Sequence, residues 1–176
     1  MIPGILISLL TFPGVIVHEA AHMLFCRLRG VAVFDACFFR LGNPVGYVIH
    51  ERVEDFTSVF LISMGPFIVN SLLCVFFCLP TMIPMHIFGQ SGPLSYVLMW
   101  VGVSIGMHAF PSTQDAKILW QSAKRSAVLH SPLAIVSFPL VVAIYIANIL
   151  RFFWLDYIYG AAIGIELPKL ILNKLT

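Results

Sequence analysis

The chain has 176 residues, of which 60% are hydrophobic and only 10% are charged. Soluble domains carry about 25% charged residues, so this composition excludes an ordinary solvated surface. We therefore expect a polytopic α-helical membrane protein with a single membrane-embedded domain over residues 1–176. The formal net charge of +2 is spread without a basic run. Nucleic acid is therefore not an implied partner, and the lipid bilayer is the expected surrounding.

Apolar segments long enough to span a bilayer, which takes about 20 residues, alternate with short polar connections. We expect spans over residues 2–26, 56–79, 93–110 and 132–153, with a kink in the first at Pro13-Gly14. The apolar stretch at residues 154–167 is a fifth span, a continuation or an interfacial helix, so the C-terminal spans cover residues 132–168. The first segment lacks the basic region of a signal peptide, and we expect it to be retained.

Residues 31–55 are too polar and too interrupted to span the bilayer. Strand-like runs at residues 31–34 and 47–49 flank the turn-forming sequence Gly42-Asn43-Pro44. This pattern predicts a β-hairpin after the first span, in or near the membrane interface. Non-helical backbone at membrane depth must be buried in protein or line a wet cavity.

The sequence His18-Glu19-Ala20-Ala21-His22 lies within the first apolar segment. On a helix, this HExxH pattern places two imidazoles one turn apart on one face, where they can share a zinc ion. The glutamate between them can then act as general base toward water. Two histidines and a glutamate are expensive within hydrocarbon and are rarely kept there without a role. The alternative is a helix end whose polar side chains face lipid headgroups. We favour a site for one Zn²⁺ per chain, with Glu19 as the catalytic residue.

Catalytic zinc usually has three protein ligands and one open position, so a third ligand must come from elsewhere in the chain. Asp115 is the preferred candidate, because it follows the third span at the depth of the HExxH turn. The same aspartate could instead cap the helix expected from residue 116 onward. His108 could be a ligand, a partner that supports the ligands, or a polar group bonded to a neighbouring helix, and we favour the supporting role. The remaining candidates are His50, Glu51, Glu54, Asp55 and Glu166.

Lysine and arginine cluster after the first and third spans, whereas the loop between the second and third spans has neither. The positive-inside rule then places the N-terminus outside and both basic loops in the cytoplasm. His22 lies about five residues, or roughly 7 Å, from the cytoplasmic end of its helix. We therefore expect an integral, multi-pass membrane protein with its active site near the cytoplasmic leaflet.

The order of these features resembles the catalytic core of the site-2 proteases, the zinc intramembrane metalloproteases. The matching elements are the HExxH sequence, the strand-forming segment, Gly65-Pro66 followed by Asn70 in the second span, and Asp115 after the third span. They cover about residues 5–120. The resemblance implies that both histidines of the HExxH sequence and Asp115 bind zinc, that its glutamate activates water, and that Asn70 lies near the site. Family members often carry Leu-Asp-Gly at the third ligand, whereas here alanine follows the aspartate.

These features predict a zinc-dependent intramembrane endopeptidase that hydrolyses peptide bonds of membrane-spanning protein or peptide substrates. Asn70 is expected to support the substrate or the oxyanion, or alternatively to form hydrogen bonds between helices. A helical substrate must unwind before cleavage, and the free edge of the expected hairpin could pair with the extended segment. The alternative functions are a non-peptidase membrane zinc-binding protein, such as a sensor or transporter, and a structural subunit without metal. A transporter would be expected to show paired repeats, which the sequence lacks.

Overall fold

The structure, a computed structural model, describes residues 4–128 and 132–175, and these residues are mostly helical. A short connection at residues 83–87 continues the third helix as π-helix, and a similar π-helical turn, Ala162–Glu166, joins the last two helices. The helices described are α1 (Gly4–Leu10), α2 (Phe12–Leu28), α3 (Phe56–Met82), α4 (Pro93–Met107), α5 (Thr113–Val128), α6 (Pro132–Leu150), α7 (Leu155–Ala161) and α8 (Leu167–Leu175).

The first apolar segment forms two helices rather than one. α1 ends at Leu10 and α2 begins at Phe12, so the break lies at Thr11 and not at the expected Pro13-Gly14. Pro13 lies in the first turn of α2, where its missing N–H removes no helical hydrogen bond. The hydroxyl of Thr11 donates back to the carbonyl of Ile7 (2.7 Å). The HExxH sequence therefore lies within a regular helix, beyond the break.

A two-stranded antiparallel sheet follows α2, which confirms the predicted hairpin. Its strands are β1 (Val33–Cys37) and β2 (Tyr47–His50), with Val33 opposite His50 and Cys37 opposite Tyr47. The connection at residues 38–46 folds back toward α2, so that Gly46 lies against the side chain of Glu19. The hairpin therefore covers the helix that carries the HExxH sequence.

α3 lies at the centre of the fold and contacts α2, α4 and α5. Its N-cap residue is Asp55, whose carboxylate accepts hydrogen bonds from the hydroxyl (2.7 Å) and the N–H (2.8 Å) of Ser58. These hydrogen bonds hold the pKa of Asp55 below its ordinary value. On its other side, α3 packs through Phe56 and Val59 into a hydrophobic cluster with Leu119 of α5, which fixes the helix that follows α4.

Among the described residues, the helix Phe56–Ile87 is long and apolar enough to cross a membrane. A second candidate, Ala134–Leu150 with Leu155–Lys174, qualifies only when two helices bent by 105° are taken together as one span. Within residues 4–128 and 132–175, length and composition thus show one candidate membrane-spanning helix, fewer than the four to five spans expected from the sequence. The first apolar segment is divided at Thr11 and α4 has only 15 residues, which removes two of the expected spans. The fourth expected span qualifies only as part of the bent pair.

Two glycines allow the helices around the HExxH sequence to approach closely. A Cβ atom on Gly14 of α2 would overlap the backbone carbonyl of Ser104 on α4. A Cβ atom on Gly65 of α3 would overlap the ring of Phe25 on α2. α2 is therefore held tightly between α3 and α4, and its HExxH turn faces the loop that links α4 to α5.

Candidate metal centre

Three side chains that can bind a metal converge where α2 faces the start of α5. His18 and His22 lie one turn apart on α2, Asp115 lies in the first turn of α5, and their ligand atoms all lie within 4.8 Å of one another. The Nε2 atoms of the two histidines are 3.2 Å apart, and His22 Nε2 is 3.6 Å from Asp115 Oδ2. Zinc with bonds of about 2.0–2.2 Å in tetrahedral geometry separates its ligand atoms by about 3.3–3.6 Å. Two of the three pairs of ligand atoms are therefore close to the spacing around a tetrahedral zinc ion, and the third pair, between His18 and Asp115, lies within 4.8 Å.

The hydrogen bond at Nδ1 of each imidazole determines whether its Nε2 atom is a donor or an acceptor. His18 Nδ1 lies 2.7 Å from the carbonyl oxygen of His108, and His22 Nδ1 lies 2.9 Å from that of Ile62. A carbonyl oxygen only accepts, so each Nδ1 carries a proton and donates it. In the neutral rings, both Nε2 lone pairs then point into the cluster, toward each other and toward the carboxylate. Such a group of acceptors is repulsive by itself, whereas a divalent cation would satisfy all three.

Asp115 is aimed into the cluster by the way α5 begins. The N–H and the hydroxyl of Ser112 donate to Asp115 Oδ2 at 2.8 and 2.6 Å, and the N–H of Asp115 donates back to the hydroxyl oxygen of Ser112 at 3.1 Å. This reciprocal pair is a capping box, with Ser112 before the first turn and Asp115 as its third residue. The helix begins at Thr113 and not at residue 116, so Asp115 is not the N-cap residue considered from the sequence but the third residue of this capping box. This role is compatible with metal binding, because it fixes the carboxylate beside His22.

Glu19 and the three candidate ligands line a cavity of about 570 Å³, which we call the metal cavity. Residues 43–48 of the hairpin form one wall, and residues from the loop between α4 and α5 form another. The hairpin restricts the glutamate, since a Cβ atom on Gly46 would lie 2.7 Å from Glu19 Cγ. A carboxylate held beside a three-ligand cluster, in a cavity with room for water and a peptide bond, has the arrangement that hydrolysis by a general base requires.

His108 supports the cluster through its main chain. α4 ends at Met107, so His108 lies in the loop that leads to α5. Its carbonyl oxygen accepts the proton of His18 Nδ1, and its ring forms a 2.7 Å hydrogen bond with the hydroxyl of Thr11. The break between α1 and α2 and the end of α4 are therefore linked directly beside the candidate ligands.

Asn70 is fully buried where α2, α3 and α4 meet. Its side-chain amide donates to the carbonyls of His108 (3.0 Å), Ile105 (3.2 Å) and Gly14 (3.4 Å). Asn70 is not part of the lining of the described cavity, and these hydrogen bonds between helices are the alternative role considered from the sequence. Through His108, Asn70 holds the carbonyl that orients His18.

The other candidates for the third ligand lie apart from the cluster within residues 4–128 and 132–175. Glu51 is exposed, and its carbonyl oxygen accepts a hydrogen bond from His50 Nδ1 (2.7 Å), although His50 also lines the metal cavity. Glu54 lies 3.9 Å from Arg125. The carboxylate of Asp55 caps α3, and Glu166 forms an ion pair with Lys169 (2.9 Å).

Sequence reasoning missed two side chains that hold the loop between α4 and α5. Arg151 donates to the carbonyl of Phe110 (3.2 Å) and forms an ion pair with Asp156 (2.9 Å). Asn148 of α6 donates to the carbonyl of Pro111 (3.2 Å). Their only sequence signal is a polar or charged residue within an otherwise apolar segment. α6 and the residues that follow it thus anchor the loop that carries His108 and leads to Asp115.

No protein-family model, curated protein or solved structure matches the chain.

Proposed function

We propose that this chain is a zinc-dependent intramembrane endopeptidase of the site-2 protease type. The observation that supports the proposal most strongly is the convergence of His18, His22 and Asp115, with the acceptor atoms of both rings and the carboxylate directed at one another. Glu19 lines the same cavity. Zn²⁺ bound by these three side chains would activate water and polarise the scissile carbonyl.

The residues of the chain supply the proton transfers and the orientation. Glu19 accepts a proton from the attacking water and delivers it to the departing amine. The carbonyls of His108 and Ile62 keep both imidazoles protonated at Nδ1, so that both Nε2 atoms remain acceptors. Ser112 holds the carboxylate of Asp115 in place through two hydrogen bonds.

The proposal includes a multi-pass arrangement of four to five spans, with the site near the cytoplasmic leaflet. Large apolar side chains on the outer faces of α3, α4 and α6 support it, because they are 67–71% exposed and soluble monomers rarely expose large apolar patches: Leu72, Phe76, Leu94, Val136 and Ile149. α4 has 15 residues. Its length of about 22 Å is less than the roughly 30 Å of a hydrocarbon core.

A span that short would leave the following loop inside the membrane. Ala109 and Pro111 of this loop are fully buried, while His108, Phe110 and Ser112 line the metal cavity. This is the condition under which irregular backbone is tolerated at membrane depth. The loop thus suits a catalytic site that lies within the bilayer and is reached from the cytoplasmic side.

The proposed substrate is a membrane-spanning protein or peptide segment that is extended at the cleaved bond. Within the described residues, β2 pairs with β1 along one edge only. Tyr47, Val48 and His50 of β2 also line the metal cavity. An extended substrate segment could pair with the second edge of β2 and so present its backbone beside the candidate ligands.

Replacement of Glu19 by Gln tests the function directly. Cleavage of a model transmembrane peptide should be lost, whereas the zinc content of the purified protein should stay unchanged, because Glu19 is not one of the clustered ligands. Glu166→Gln is the matched control, since Glu166 is exposed, pairs with Lys169 and lies outside the metal cavity. Cleavage that survives Glu19→Gln would refute the general base. A wild-type protein that binds zinc and cleaves no membrane peptide would instead support the sensor or transporter alternative.

A further inference from the structure

A second cavity, of about 540 Å³, adjoins the metal cavity. We call it the flanking cleft; it lies between β2, the first half of α3, and α5. Asp115 contributes to the walls of both cavities, so the candidate metal centre lies at their boundary. The residues that line both are Val48, His50, Gln114, Asp115 and Ile118.

One face of α5 forms a wall of the flanking cleft. Gln114, Ile118, Gln121 and Arg125 follow one another at intervals of four, three and four residues, and all four line the cleft. These intervals place side chains on one face of a helix. At 1.5 Å per residue, the distance along the axis from Gln114, next to Asp115, to Arg125 is about 16 Å. An extended peptide advances about 3.3 Å per residue, so about five residues would cover this distance.

The side chains that line the cleft change from apolar to charged along α5. Near the metal centre, the cleft is lined by the apolar side chains of Val59, Ile62 and Ile118. Gln114 and Gln121 are exposed there, and side-chain amides both donate to and accept from a peptide backbone. A cleft with apolar side chains near the metal centre and amide side chains beside them suits an extended polypeptide whose apolar part lies next to the metal centre.

Two arginines lie at the far end of the cleft, close to the carboxylates of Glu51 and Glu54. Arg52 and Arg125 line it, and apart from Asp115 at the metal centre the acidic lining residue is Glu51. Arg125 is 3.9 Å from Glu54, but the two side chains are 56% and 79% exposed, and such ion pairs contribute little. A carboxylate on a bound peptide could therefore replace this contact.

We propose that the flanking cleft binds the substrate segment next to the scissile bond in extended form, and that Arg125 selects an acidic side chain about five residues from the cut. The inference rests on the proposed function, and it adds a specificity-determining residue on α5 outside the candidate metal centre. The recognised segment is polar and belongs to the part of the substrate just outside the hydrocarbon layer.

Peptide binding tests the cleft independently of catalysis. The probes are fluorescein-labelled peptides with an apolar alanine and leucine half and a polar half, in both orders, in which one glutamate is moved along the polar half. Matched peptides carry glutamine or lysine at the same position. Anisotropy measures their binding to the detergent-solubilised full chain with Glu19→Gln. At low ionic strength, glutamate about five residues beyond the apolar half should bind about three-fold more tightly than glutamine.

Charge reversal on α5 identifies the residue responsible. Arg125→Glu should reverse the preference in favour of the lysine peptide. Lys124→Glu is the matched control and should leave the preference unchanged, because Lys124 lies over the ring of Trp120 and does not line the cleft. An equal effect of both substitutions would reveal only general electrostatics and would overturn the proposal. A change in oligomeric mass on Arg125→Glu without a change in peptide preference would assign the cleft to a second copy of the chain, and would also overturn it.

Cleavage by the wild-type protein separates this inference from the proposed function. The ends of the products show how far the selected glutamate lies from the cut, and we expect about five residues. Cleavage without any preference for glutamate would overturn the cleft assignment and leave the peptidase intact. Selective binding without cleavage would refute the peptidase and leave a cleft that binds acidic peptides.

Discussion

Replacement of Gly46 by alanine should impair catalysis without releasing zinc. The new Cβ atom would lie 2.7 Å from Glu19 Cγ and 3.1 Å from the carbonyl oxygen of Phe38. Carbon atoms in ordinary contact are about 3.5–4.0 Å apart, so the glutamate must move by about 1 Å. Displacement of a catalytic group by about 1 Å can cost about 100-fold in rate. We therefore expect kcat for a fluorogenic transmembrane peptide to fall by about that factor.

The control for this substitution lies in the same loop. A Cβ atom on Gly42 would lie 3.6 Å from Arg40 Nε, which is an ordinary contact, so Gly42→Ala should keep both activity and zinc. None of the three nearest neighbours of the Gly46 position is a candidate ligand, so its zinc content should equal that of the wild type. Wild-type kcat in Gly46→Ala, or an equal loss in Gly42→Ala, would refute the view that the hairpin positions Glu19.

Two further substitutions test the helices that hold the site. Asn70→Ala removes the donor to the carbonyl of His108; the zinc dissociation constant, measured by chelator competition, should rise about ten-fold, and an unchanged constant would show that this support is dispensable. Gly14→Ala would overlap the Ser104 carbonyl, so thermal unfolding in detergent should show a loss of about 1–3 kcal/mol. Gly92→Ala, which has open space, is its control, and equal stability of the two variants would contradict the close packing of α2 and α4.

The parts of the fold that depend on local sequence could be predicted. The strand-like runs on either side of Gly42-Asn43-Pro44 correctly predicted the two-stranded sheet, because strand propensity and turn residues act over a few positions. The break in the first apolar segment was misplaced. Proline is tolerated in the first turn of a helix, so Pro13 marks the beginning of α2 and not a kink within it.

The candidate site also has one part that depends on local sequence and another that depends on tertiary packing. His18 and His22 come together because residues four apart share a helical face, which requires no tertiary information. The position of Asp115 depends on the packing of α5 against α3, and the sequence could suggest it only from the expected depth of the third span. The carbonyls of Ile62 and His108 could not have been found, since every residue carries a carbonyl and only the fold determines which one meets an imidazole.

The zinc content of the purified protein tests the central claim most directly. The wild type and the control His86→Ala, whose exposed ring forms a hydrogen bond with Asn173, should each contain about one zinc per chain. His22→Ala and Asp115→Ala should both lose it, because each removes one of three converging ligands. No zinc in the wild type after reconstitution with the metal would contradict the account. Loss in His22→Ala alone would contradict the assignment of Asp115 as the third ligand.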